Sequence, residues 1–204
     1  MGGTFAILVD GGFMKKKLER KHKRFPTVAD VQAEIDRIKK HPLLRAHSLL
    51  RVYFYDAPPA TGKIKNPIDQ IEIDLSKSAH YSSNISLQQS LEMQPDFALR
   101  SGDTIVHGWS VGECALKQML KKPRPLEAKD LVPNIEQKGV DLRIGLDIAR
   151  LSLRSLVNII VVVTGDSDIV PAFKFARREG VRVYLDHMNH SVKRELKAHV
   201  DAIL

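Results

Sequence analysis

The stretch Val157-Asn158-Ile159-Ile160-Val161-Val162-Val163 limits the folds open to this 204-residue chain more than any other feature. A strand with one wet face alternates apolar and polar residues. This run is apolar on both faces, so it needs cover on both, as in the middle of a parallel sheet flanked by helices. Phe5–Val9 repeats the pattern near the other end of the chain. Both runs stop at glycine and acid: Asp10-Gly11-Gly12 after the first, Thr164-Gly165-Asp166-Ser167-Asp168 after the second. Open α/β sheets place their ligand sites at the carboxyl ends of such strands. The acids therefore stand where chemistry is expected.

The remaining chain supplies the helices and further strands. Phe13–His22 starts a helix, and Thr27–Lys40 reads as a second, with Thr27 as N-cap and Val28, Val31, Ile35 and Ile38 at helical spacing. Ser48–Tyr55 reads as a strand closed by Asp56-Ala57-Pro58-Pro59. Residues 60–95 are polar, lack a sustained core and read as a partly helical insertion. Phe97–Val111 alternates around Gly102-Asp103 and Gly108 as a hairpin would, and Met119–Pro133 reads as a basic, proline-punctuated loop. Helices follow over about 140–153 and 170–179, the latter capped by Gly180, with a strand at Val181–Leu185, a last helix at Ser191–Ala198 and a short apolar end. This alternation predicts one domain over 1–204: a three-layer α/β/α sandwich with a mostly parallel central sheet and Rossmann-like topology.

Composition narrows the function. Thirty-two basic residues against 24 acidic ones give a net charge of +8, which favours polyanions such as nucleic acid. The single cysteine, Cys114, excludes a disulfide framework and a cysteine zinc cluster, and reads as a small core residue. The longest apolar run is far shorter than a membrane span, so no membrane partner is expected. The opening MGGTFAILVDGG reaches a strand at once without a signal peptide's basic start. Its second glycine precedes strand residues, which discounts myristoylation. The expectation is a cytoplasmic protein, compatible with a homodimer.

On a helical wheel of Lys138–Leu151, Asp141 falls near the middle of an apolar arc, with Ile144, Ile148 and Leu151 to one side and Leu142, Gly145 and Ala149 to the other. Asp147 falls on the polar flank. Asp141 as a first-turn charge, Asp10 as a turn residue and Asp168 as a helix cap are the structural alternatives. Taken together, acids from three segments converge on one sheet edge, and clustered carboxylates persist best around a divalent cation. Oxygen-only ligands favour Mg²⁺ or Mn²⁺. Such a cluster in a basic protein suggests phosphodiester hydrolysis, with Lys and Arg holding the nucleic-acid backbone. The candidates for that contact are Lys15, Lys16, Lys17, Lys121, Lys122, Arg124 and Lys138. Trp109 and Tyr53 read as strand-face or core residues, and His187 and His190 as surface histidines.

The stretches ILVDGGF, KGVDLRIGLDIARL and VVVTGDSDIVPAFKFARREGVRVYL, in this order, resemble the NYN domain. That domain is a branch of the PIN-like metal-dependent ribonucleases, and the likeness is strongest to its LabA-like members. The resemblance implies a Mg²⁺- or Mn²⁺-dependent ribonuclease, an endonuclease, acting on RNA. It maps metal ligands onto Asp10, Asp141 and Asp166, with Asp168 assisting or orienting water, and a lower-ranked acid onto Asp147. Gly12 departs from relatives that carry Asn or Asp there, and the 60–95 segment has no counterpart in the pattern. A haloacid-dehalogenase-like phosphatase would need an acid at position 12, and a dinucleotide site would need a Gly-x-Gly-x-x-Gly loop. A non-catalytic RNA-binding or regulatory module on the same fold is the alternative that remains.

Overall fold

The computed structural model describes residues 2–204. Its centre is a six-stranded sheet, parallel throughout, built from β1 (Thr4–Asp10), β2 (Ser48–Asp56), β5 (Phe97–Ser101), β8 (Ile159–Val163), β9 (Arg182–Asp186) and β10 (Ala202–Ile203). In space the order is β10-β9-β8-β1-β2-β5. The first half of the chain builds outward from β1 through β2 to β5. The second half returns to the other flank of β1 with β8 and builds outward again. The order reverses between β1 and β8, so the connections leaving those two tips diverge and open a crevice.

The two runs that are apolar on both faces are the two central strands. Ile7, Leu8, Val9 and Val161–Val163 are all fully buried. Each face has its own core. On one, Phe5, Ile7, Val9, Val161 and Val163 pack against α1 (Gly11–His22), α2 (Val28–Lys39) and α3 (Ala79–Glu92) through Met14, Leu18, Ile35, Ile38, Leu87 and Leu91. On the other, Ala6, Leu8, Ile160, Val162 and Leu185 pack against α5 (Val140–Leu153), α6 (Val170–Arg178) and α7 (Arg194–Ala198) through Ile144, Ile148, Phe173 and Leu196. The three-layer sandwich follows from this alternation of side chains across the pleat.

Two stretches differ from the sequence expectation. The 60–95 segment is only partly an excursion: β3 (Lys63–Lys65) and β4 (Glu72–Asp74) form a small hairpin, whereas α3 is the crossover helix between β2 and β5, with Asn84, Leu87, Gln88 and Leu91 buried. Part of its polar look came from amides, Asn84 and Gln88, that face the protein, while Ser78, Ser82 and Ser86 lie exposed. The expected 97–111 hairpin does not form. β5 joins the main sheet, and β6 (Asp103–Val111) pairs antiparallel with β7 (Leu131–Lys138), enclosing α4 (Glu113–Lys121). Gly102 makes the break: a side chain there would stand 2.6 Å from the Lys138 carbonyl oxygen. The expected loop over 119–133 is present over 122–130, with a single 3₁₀ turn at Ala128–Asp130, while its two ends belong to α4 and β7. Trp109 is a strand-face residue of this arm, its Nε1–H donating to the Lys65 carbonyl at 2.9 Å. Cys114 is exposed on α4 rather than in the core.

Candidate functional site

Acids crowd the carboxyl edge of the sheet, and their partners sort them. Asp56, at the end of β2, is fully buried; Lys15 donates to its Oδ2 at 2.6 Å and Gln88 Nε2 at 2.9 Å. Asp186, at the end of β9, is buried and paired with Arg37. Asp10, Asp141, Asp166 and Asp168 have no ion-pair partner among the described residues.

Asp10 lies between these worlds. Its Oδ1 accepts the Phe13 N–H at 2.9 Å, so it caps α1 as a turn residue would, and its Oδ2 accepts the Thr164 hydroxyl at 3.2 Å. Thr164 in turn accepts the Asp166 N–H at 3.1 Å, and Asp166 Oδ1 accepts the Asp168 N–H at 2.9 Å. Thr164 is buried, and its hydroxyl ties the β1 tip to the turn after β8. Its one signal in the sequence was a hydroxyl at the end of an otherwise aliphatic strand. Asp168 is not the cap of α6; Ile169 holds that position without a side-chain bond.

Asp141 is exposed in the first turn of α5, not centred on a buried arc. The buried stripe is Val140, Ile144, Ile148 and Leu151, while Leu142 and Leu146 face solvent. The first turn of α5 reaches the edge where the core ends, and there the carboxylate shares a groove with Asp168 and with the apolar Leu142, Ile169 and Pro171. Desolvation, then the charges of Asp166 and Asp168, raise its pKa above the usual carboxylate value. Asp10 is raised too, by burial first and by the Asp141 and Asp166 charges, against the lowering effect of the Phe13 N–H. These acids sense one another across the crevice.

They do not form a closed ligand shell. Among the described residues, no three His, Cys, Asp or Glu side chains converge tightly enough to hold a metal ion as they stand. The expected set Asp10, Asp141 and Asp166 is gathered at one edge without being drawn to a common point. Its chemistry still fits a hard divalent cation: the donors are all carboxylate oxygens, none has a basic partner, and two have raised pKa values.

Several expected residues serve other purposes. Asp147 is half-buried against β2 and β5, accepting the Tyr55 hydroxyl at 2.8 Å and Arg100 Nε at 3.1 Å, with Arg150 beside it. It ties helix to sheet, so it leaves the candidate site. Burial and Asp147 push the Tyr55 hydroxyl well above its usual pKa. Lys15 is withdrawn from the RNA-facing set by its pairing with Asp56. Arg124 is withdrawn by a two-pronged pair with Asp130 at 2.6 and 2.7 Å, which holds the Asp130 carboxyl down at about 2. Lys16, Lys17, Lys121 and Lys122 remain free of acidic partners among the described residues, and exposed Lys138 lies 3.5 Å from Glu136. Gln137 approaches the place left open by Gly12: a Cβ there would stand 3.5 Å from Gln137 Oε1 and from Asp10 Oδ1.

Comparison with known proteins bears on this edge directly. Residues 117–204 match the NYN domain. The match runs from α4 to the last strand. It includes Asp141, Asp166 and Asp168 and leaves Asp10 outside. The chain is consistent with an NYN domain protein of the PIN-like superfamily, and its helix-flanked six-stranded parallel sheet with a PIN-like fold. The NYN match points to a nuclease-type fold and, in general terms, a hydrolase. A crystal structure of a protein of unknown function from Vibrio parahaemolyticus is similar over 100% of this chain and 92% of its own, with a TM-score of 0.55 and 13% identity. That likeness is one of fold. No curated protein matches the chain in sequence. Among the described residues, no helix is long and apolar enough to cross a membrane.

Proposed function

We propose that the chain is a metal-dependent ribonuclease that hydrolyses RNA phosphodiester bonds internally, at the crevice between β1 and β8. The observation that carries this reading is the set of four aspartates left without a basic partner in a protein of net charge +8. Uncompensated carboxylates at a strand edge repel one another, and a chain rich in Lys and Arg has the means to neutralise them. Here Asp56 and Asp186 are neutralised and these four are not. Asp10, Asp141 and Asp166 would hold Mg²⁺ or Mn²⁺. Such an ion lowers the pKa of water and offsets charge on the scissile phosphate. Within the chain, the Thr164 hydroxyl ties the Asp10 carboxylate to the backbone N–H of Asp166. Asp168, whose N–H donates to Asp166, would accept a proton from, or orient, the attacking water. Lys16, Lys17, Lys121, Lys122 and Lys138 supply charge for the RNA backbone.

The test is incubation of the purified protein with end-labelled single-stranded and structured RNA in Mn²⁺, in Mg²⁺ or in chelator. Internal cleavage that needs the cation and is lost in Asp166→Asn and Asp10→Asn is expected. No cleavage in either metal, with RNA still bound, would move the protein to the RNA-binding-module reading.

A further inference from the structure

We infer that Phe13 and His190 form a stacking platform for one base of single-stranded RNA, with Lys17 and Arg20 holding the adjoining phosphates. This rests on the ribonuclease reading and deepens it, by naming how a strand would be held beside the acids.

The platform is built into the same turns as the acids. The Phe13 N–H is the one that Asp10 accepts, so the ring leaves α1 from the turn that begins at that carboxylate. A Cβ on Gly165 would lie 2.6 Å from Phe13 Cε2 and 3.0 Å from His190 Cδ2. Both rings therefore rest on the backbone one residue before Asp166, and only glycine lets them approach so closely. Their centroids are 5.8 Å apart with the planes tilted by 52°. Neither ring is fully buried.

The cations are in reach. Lys17, one helical turn beyond Phe13, places its Nζ 5.7 Å from the ring centroid. Loss of hydration first, then the charges of Lys17, Arg20 and His187, lower the His190 pKa, so these groups share one neighbourhood. Neither Lys17 nor Arg20 has an acidic partner among the described residues, in contrast with Lys15 and Arg37 on the same side of the sheet. The backbone that presents His190 is strained. Met188 and Asn189 both have left-handed φ values, 45° and 55°. The turn is closed by the His190 N–H to the His187 carbonyl at 2.7 Å and the Met188 N–H to Asp186 Oδ1 at 2.9 Å. Asparagine tolerates that conformation and methionine does not, and such strain persists where the surroundings impose it. Aromatic faces bind bases with little regard to sequence, and flanking Lys and Arg track the phosphates.

The test is fluorescence anisotropy of a labelled single-stranded RNA oligonucleotide in EDTA, where cleavage is not read. Phe13→Leu, which keeps bulk but removes the aromatic face, and His190→Ala should each weaken binding by about tenfold. An oligonucleotide of the same backbone with abasic positions should bind the parent more weakly than RNA, and that difference should shrink in Phe13→Leu. Lys17→Ala with Arg20→Ala should flatten the log–log salt dependence by roughly 1.4. Should Phe13→Leu melt below the assay temperature, His190→Ala and the abasic comparison on the parent decide the matter. Equal binding of RNA and abasic strand by the parent, or parent-like affinity in His190→Ala, overturns the platform. Platform-dependent binding in a protein that never cleaves sinks the ribonuclease reading alone. Metal-dependent cleavage with unaltered binding in the variants sinks the platform alone.

Discussion

The β1–β8 edge and its flanks are built from the same residue type to opposite ends. At the flanks, Asp56 and Asp186 end β2 and β9, are buried, and each meets a cation from the helices on one side of the sheet: Lys15 from α1, Arg37 from α2. At the centre, Asp10 ends β1 and Asp166 follows β8, and their carboxylates accept only neutral donors: the Phe13 N–H and the Thr164 hydroxyl for Asp10, the Asp168 N–H for Asp166. A paired aspartate fastens a helix to the sheet. An unpaired one, crowded by its own kind, stores repulsion that only a cation or a proton relieves. The difference separates the acids that fasten helices to the sheet from those proposed to hold a metal ion.

The largest effect should come from breaking a paired tip. Asp56→Ala leaves the Lys15 ammonium, whose side chain is 11% exposed, without its counter-charge and with Asn84 Oδ1 as its remaining acceptor, and leaves the Gln88 amide with the Ala57 carbonyl. Removing one member of a buried pair costs about 3–5 kcal/mol. Chemical denaturation should show a loss of that order. Asp166→Asn, by the same measurement, should match or exceed the parent's stability. A larger loss in Asp166→Asn than in Asp56→Ala would dissolve the distinction.

Next in size is the response to cations. Binding to the native state alone stabilises it by about 2.7 kcal/mol at 100-fold excess over the dissociation constant. Melting of the parent should rise with Mn²⁺ or Mg²⁺, and Asp141→Ala should lose most of the rise. Asp147→Ala should start lower, because Tyr55 and Arg100 lose their acceptor, yet keep the full cation-induced increment. If Asp147→Ala loses the increment instead, Asp147 belongs with the unpaired acids.

The smallest effect is in pH. Asp10 and Asp141 have folded-state pKa values above 3.8. Between 3.8 and the raised values the folded chain binds more protons than the unfolded one. Their contribution is thus fully present below pH 3.8 and declines as pH rises through the raised values. In chelator, parent stability measured against an Asp10→Asn, Asp141→Asn double variant should fall with rising pH across that window and then level off. A difference that grows instead would mean that the acids are stabilised by partners after all.

Much of this architecture could be read along the chain. Runs such as Phe5–Val9 and Val161–Val163 are apolar at every position, and only a sheet covered on both faces satisfies them, so the sandwich and the placement of Asp10 and Asp166 at strand tips follow from local pattern. Thr27 capped its helix as read. Pairing was not legible. Lys15, Lys16 and Lys17 are adjacent and alike, yet only Lys15 turns inward to Asp56, because its position on α1 faces a strand tip 41 residues on in sequence. Asp141 and Asp147 sit six residues apart on one helix, and which meets arginine and which meets other acids depends on what each end of α5 lies against. Hydropathy and turn chemistry are properties of neighbours in sequence, and they determined the layers, the strands and the edge. Charge compensation is a property of neighbours in space, and only the tertiary structure decided which aspartates would be silenced and which left bare.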